Sequence, residues 1–164
     1  TNVGFSDAVM HSNRLDRFNA GDWAYRNNCQ RCVVASEIRR RGYNVVARPA
    51  IKNTQNDSVL KSWDRLFVGQ TWERAADKAS TDALIMKMPV GARGTVYIEW
   101  NPLSAHVFNF EKTSSGVSYY DAQSGSQDVA WYFTQQHSGS SILVSRTDNL
   151  EVDKAMLGKI VKKG

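Results

Sequence analysis

The stretch NCQRCVVASEIRRRG, residues 28–42, decides how the rest of the chain is read. It has no proline and no internal glycine, opens on asparagine, a favoured N-cap, and closes on Gly42, a favoured residue just past a helix end. These signals predict a helix over 29–41. Both cysteines of the chain, Cys29 and Cys32, then fall in its first turn. Arg39, Arg40 and Arg41 fall in its last, where cations complement the negative end of the helix dipole.

Two cysteines cannot build a disulfide framework, and a bridge inside one helical turn would be strained. They are therefore reduced thiols, either small buried core residues or reactive groups. A thioredoxin-like redox pair needs a strand leading into the motif, whereas residues 22–28 are short, polar and unlike a strand. A zinc site needs two further ligands at suitable spacing, and His11, His106 and His137 are single and scattered. His137, within QQHSG, reads as a solvated loop residue.

Working outward, residues 43–48 alternate and stop at Pro49, which predicts a strand followed by a polar loop through 53–56. Val59, Leu60, Trp63, Leu66 and Phe67 recur at helical spacing, continued after a break at Gly69 by Trp72, Ala75, Ala76 and Ala79. These tryptophans are assigned to the core. Residues 83–88 fit a helix or a buried strand, and Pro89 ends either. Strands are predicted over 95–100, 105–111, 116–121 and 142–146, with a helix over 126–135. Phe5, Ala8, Val9 and Met10 suggest a short helix upstream.

Helix early and antiparallel strands late give an α+β chain. With 164 residues, 41% hydrophobic content and three prolines, it fits one domain: a lead-in over 1–27, a core over 28–146 and a tail over 147–164. No apolar run reaches membrane-spanning length, and the first residues lack the regions of a signal peptide. A first residue of threonine fits a piece of a longer protein, whose remainder would carry any targeting. The net charge of +5 is scattered apart from 39–41 and 162–163, without aromatic-basic patterning, which argues against nucleic acid.

The chemistry emerges from the strands over 105–111 and 116–121. A four-residue loop over 112–115 would pair Phe110 with Val117, Phe108 with Tyr119, and His106 with Asp121, all on one face. A carboxylate opposite an imidazole holds one ring nitrogen and leaves the other free as a base; the bland alternative is a surface pair at a strand end. A thiol in a helix's first turn feels the positive end of the dipole, and free N–H groups close by can hold an oxyanion. Together these describe a Cys-His-Asp site for acyl transfer.

At this point the chain resembles a known family, the papain-fold toxin domains of glutamine deamidase type found in bacterial polymorphic toxins and phage head-morphogenesis proteins. The resemblance rests on NCQRCVVASEIRRRGYNVVARP (28–49), PVGARGTVYIEW with AHVFNFE (89–111) and YYDAQSG (119–125), in the family's order. It implies a papain-like fold, with a central N-terminal helix packed on an antiparallel sheet. It carries the nucleophile over to Cys29 of the NC motif, the base to His106 and the orienting carboxylate to Asp121. Gln123 matches a recurrent glutamine and takes a supporting or substrate-contacting role, while Ala122 stands where the family usually has proline. A Cys-x-x-Cys whose second cysteine reacts occurs in papain-like proteases, which keeps Cys32 as the alternative nucleophile. The backbone N–H of the nucleophile is the first oxyanion donor, with the side chain of Asn28 or Gln30 as a second.

The resemblance thus implies a cysteine-dependent amidohydrolase acting on a glutamine of a target protein, without metal or cofactor. It implies delivery to the cytoplasm of a target cell and a cognate immunity protein in the producer. A papain-like protease or transglutaminase shares the same intermediate, and an inactive papain-fold binding module is the reading from outside enzymology.

Overall fold

The computed structural model describes residues 4–52 and 57–164; the polar loop expected over 53–56 lies outside them. The expected early helix is α4, Cys29–Arg40, preceded by α1 (Phe5–His11), α2 (Leu15–Asn19) and α3 (Trp23–Arg26). Its C-terminus closes as the glycine signal predicts. Gly42 has φ of 102°, its N–H bonds the Arg39 carbonyl, and the Tyr43 N–H bonds that of Ile38.

The N-terminus of α4 departs from expectation. Asn28 sits at the capping position, but its side chain makes no cap and turns inward to other partners. The three arginines at the far end also do more than complement a dipole. Arg39 pairs with Asp7 and Arg40 with Glu111, tying α4 to α1 and to the sheet, while Arg41 pairs with Glu37 one turn back in the helix.

Helix α4 is buried on nearly every side, from Cys29 through Ile38 with Gln30 as the gap. Its surroundings include α1, the strand pair β1 (Val45–Ala47) and β7 (Val161–Lys163), α7 (Lys154–Ile160), and β3 (Arg93–Asn101) and β4 (Ser104–Thr113). Burial of Arg31 and Glu37 is matched by charge: Arg31 bonds both Asp57 oxygens, and Glu37 is held by Arg41 and Arg93. The flanking segments therefore join the structure. Ala8 and Val9 are fully buried, and β7 pairs antiparallel with β1.

The main sheet has five strands in the order β2-β6-β3-β4-β5, where β2 is Glu73–Ala75, β5 Gly116–Tyr120 and β6 Ile142–Arg146. All its pairings are antiparallel. One face carries Val107 and packs with α4; the other carries Val96, Ile98, Phe108 and Phe110 against Tyr132, Phe133 and Ile85.

Several expected elements need correction. Helical spacing was continued through Trp72, Ala75 and Ala76, but 73–75 is an edge strand, and the helix α6 begins at Lys78, capped by Asp77, and runs to Met86. Alanines satisfy helical and strand patterns alike, and pairing with β6 decides between them. The segment around Val59 gives only a short helix α5 (Ser58–Ser62) and a 3₁₀ turn, Trp63–Arg65. The helix expected over 126–135 is a 3₁₀ segment, Ala130–Gln135.

The hairpin between β4 and β5 also differs. Its turn is formed by Ser114 and Ser115 alone, and Thr113 pairs with Gly116. Phe110 therefore faces Tyr119, not Val117, a slide of two residues that preserves which face each side chain occupies. His106 and Asp121 consequently do not sit directly opposite each other.

Gly94 shows how tightly β3 is held. A Cβ there would lie 2.0 Å from the Ser145 carbonyl oxygen and 2.7 Å from the Phe110 ring. Because the first contact is backbone in a paired strand, relief requires the sheet to shift. Gly94→Ala is expected to cost about 1–3 kcal/mol or more, read as a drop in urea midpoint at unchanged slope; an unchanged midpoint would show that the sheet yields freely.

Candidate active site

Strand β5 pairs with β4 only from Asn109 to Thr113, so the part of β4 carrying His106 extends beyond it. After Tyr120 the chain turns through Asp121, which makes a single bridge to Ser126. This turn carries Asp121 back to the histidine. His106 Nε2 lies 3.0 Å from Asp121 Oδ2, and both residues are buried. The hairpin slide is thus compensated by the turn after β5.

The carboxylate is satisfied on both oxygens. Oδ2 also accepts from the Tyr132 hydroxyl, and Oδ1 accepts from the Gln123 N–H at 2.8 Å. Burial alone would raise the Asp121 pKa, but His106, Tyr132 and the Gln123 amide hold it below the ordinary carboxylate value. Burial likewise opposes a charged imidazole at His106. Hydrogen bonding and charge from Asp121 and Cys29 outweigh it and push the histidine up to about 10.

With Nε2 bound to Asp121, the Nδ1 of His106 is the nitrogen left for another partner. Cys29, the first residue of α4, lines the same cleft and contributes to raising the histidine. The cleft, about 470 Å³, is also lined by Gln30, Trp100, Asp121, Gln123, Tyr132 and, at its rim, Arg26. Trp100 stacks on the imidazole with ring centroids 5.0 Å apart and 26° between planes. Cys29 Sγ lies 3.6 Å from Gln30 Oε1.

The two thiols are placed differently. Both belong to the hydrophobic cluster of α4, but Cys29, 9% exposed, also lines the cleft, whereas Cys32, 1% exposed, does not. Burial, with Asp121 and Cys29 adding negative charge, pushes the Cys32 thiol well above its usual value. Neither cysteine is in a disulfide.

Asn28 is placed away from the role of oxyanion donor. Its two amide hydrogens go to Asn13 Oδ1 at 3.0 Å and the Arg48 carbonyl at 3.2 Å, and the residue is fully buried. No donor remains to face the cleft. Gln30 keeps its place beside Cys29, and Gln123 lines the cleft while donating to Asn28 Oδ1 at 3.3 Å.

A family model described as papain fold toxin 1, glutamine deamidase, matches residues 27–126. The chain belongs to this papain-fold toxin family. No curated protein matches it. As a toxin domain of the glutamine deamidase family, it carries Cys29, His106 and Asp121 inside the matched segment, whereas Tyr132 and Asn13 lie outside it.

Sequence reasoning did not single out Tyr132, Trp100 or Asn13. Tyr132 and Trp100 look like ordinary core aromatics, and only their position beside His106 distinguishes them. Among the described residues no group of three or more His, Cys, Asp or Glu side chains is arranged to hold a metal ion, and no helix is long and apolar enough to cross a membrane.

The charge coupling predicts a titration. Because the folded pKa of His106 is raised from 6.5 to about 10, its contribution to stability is fully present below pH 6.5 and is lost as pH rises to about 10. Over that window the melting temperature of His106→Gln should fall less steeply than that of the parent chain. In Asp121→Asn the imidazole loses its carboxylate while remaining buried, so its NMR titration should fall below that of the parent chain. A histidine that still titrates near 10 in that variant would refute the coupling.

Proposed function

We propose that this toxin domain deamidates a glutamine side chain of a target protein through a thioester on Cys29, with His106 as proton carrier and Asp121 as its orienting carboxylate. The observation that carries the reading is the shared cleft: Cys29 begins α4 beside an imidazole whose other nitrogen is bonded to a buried carboxylate. The contact of α4 with β3 and β4 supports a papain-like arrangement of these groups.

In this mechanism an imidazolium at His106 compensates the charge of a thiolate at Cys29. The sulfur attacks the amide carbon, and the carbonyl oxygen becomes an oxyanion. In this reading backbone N–H groups in the first turn of α4, which have no helical acceptor, receive it, with the Gln30 side chain as a second donor. His106 gives its proton to the leaving nitrogen; the C–N bond breaks, ammonia departs and a thioester remains. Water then attacks with His106 as base, the C–S bond breaks, and the side chain leaves as glutamate. The steps involve no metal or cofactor.

Asp121 keeps the imidazole turned toward Cys29, and Tyr132 and the Gln123 amide keep Asp121 ionised. Cys32, buried and held as a thiol, serves packing in this reading. The substrate is a protein bearing a reactive glutamine, met in the cytoplasm of a target cell, and a cognate immunity protein protects the producer.

The test is site-resolved mass spectrometry of proteins from intoxicated cells. A glutamine-to-glutamate change at a defined site supports the proposal, whereas backbone scission would reveal a protease and an amine adduct a transglutaminase. Cys29→Ala should lower deamidation by roughly 10³-fold or more, while Cys32→Ala keeps it. Full toxicity in both variants would leave a binding module as the explanation.

A further inference from the structure

Three buried amide side chains close a ring of hydrogen bonds behind the cleft. Asn13 Oδ1 accepts from Asn28 Nδ2 at 3.0 Å, and Asn28 Oδ1 accepts from Gln123 Nε2 at 3.3 Å. Asn13 Nδ2 completes the ring through the main chain, donating to the Gln123 backbone carbonyl at 2.8 Å. It also donates to the Tyr25 carbonyl at 3.0 Å, at the end of the segment leading into α4. Asn13, Asn28 and Gln123 are 4%, 0% and 6% exposed, so the ring is largely shielded from water.

The neighbours of this ring give it significance. Asn28 directly precedes Cys29, and Gln123 donates its backbone N–H to Asp121. One side of the ring is thus joined to the start of α4, and the other to the turn that carries the carboxylate. Asn13 bonds to both sides. A buried amide left without a partner carries its full desolvation penalty, so a relative shift of helix start and turn is opposed by the ring.

We propose that Asn13 is a positioning residue of the active centre: through Asn28 and Gln123 it fixes where Cys29 stands relative to the His106–Asp121 pair. This rests on the reading of those three residues as the catalytic groups. Asn13 lies ahead of the matched segment, 27–126, so the N-terminal region is a working part of the site. It touches no substrate and acts only through the ring.

The readout is the rate at which iodoacetamide alkylates Cys29 in the full chain, followed by peptide mass spectrometry across a pH series. It requires no knowledge of the target. Asn13→Ala should slow alkylation by roughly 10- to 100-fold, the scale of a misplacement of about 1 Å, and should displace the pH profile. If that variant does not fold, Asn13→Asp, of the same volume, carries the test: it keeps an acceptor for Asn28 but loses the amide donors, and should slow alkylation too.

Asn109→Ala is the comparator for simple destabilisation. Asn109 is equally buried, at 3%, and bonds the Val33 and Gly94 carbonyls, each at 3.4 Å. It should lower the melting temperature yet leave the alkylation rate and profile at parent values. Parent-like alkylation in a folded Asn13 variant overturns the positioning role. Parent Cys29 reacting no faster than in the urea-unfolded chain overturns the nucleophile reading beneath it, and the two failures are thereby told apart.

Discussion

Asp121 is a carboxylate taken out of water, and much of the molecule is arranged around that cost. An ionised group in a protein interior is tolerated only when its oxygens are bonded and a countercharge is near. Here the donors come from three places: His106 on β4, Tyr132 on the 3₁₀ segment, and the backbone of Gln123. The Gln123 amide, two residues on, satisfies Oδ1 within the local turn, but His106 and Tyr132 are distant in the chain, so Oδ2 is satisfied only when these parts are assembled. The same bonds fix the imidazole's orientation, so the condition for stability is also the condition for the proposed chemistry.

Helix α4 presents a second set of buried charges with the same logic. Apolar contact with Val107, Ala122 and Ile160 places the helix in the core but leaves it free to turn or slide, because hydrophobic burial has no direction. Ion pairs supply direction. Arg31 reaches Asp57, Glu37 reaches Arg93 on β3, Arg40 reaches Glu111 on β4, and Arg39 reaches Asp7 on α1. Each pair ties the helix to a different element, and together they hold Cys29 at the cleft and Cys32 in the core.

Much of this was legible from local pattern. The glycine that ends α4 and the strand signals behind β3, β4, β5 and β6 are properties of neighbouring residues, and they appear where expected. The slide in the β4–β5 hairpin was not legible, since a turn of two serines and a loop of four residues suit the same sequence. It did no harm to the site because a shift of two preserves facing, and the turn at Asp121 restores the approach to His106. Asn28 illustrates the opposite case. Its type and place signal a cap, yet Gln123 Nε2 occupies the Oδ1 that would accept from the helix's own N–H groups, while Nδ2 donates to Asn13 and to the Arg48 carbonyl.

The sequence by itself determined the helix that starts at Cys29, the alternation that puts His106 with Phe108 and Phe110, and the motifs that mark the family, because each depends on residues close in the chain. Only the tertiary structure decided which cysteine meets the cleft, that Tyr132 shares Asp121 with His106, and that Asn13 joins Asn28 to Gln123. Those outcomes depend on burial, and burial is set by everything packed around a residue rather than by its neighbours in the chain.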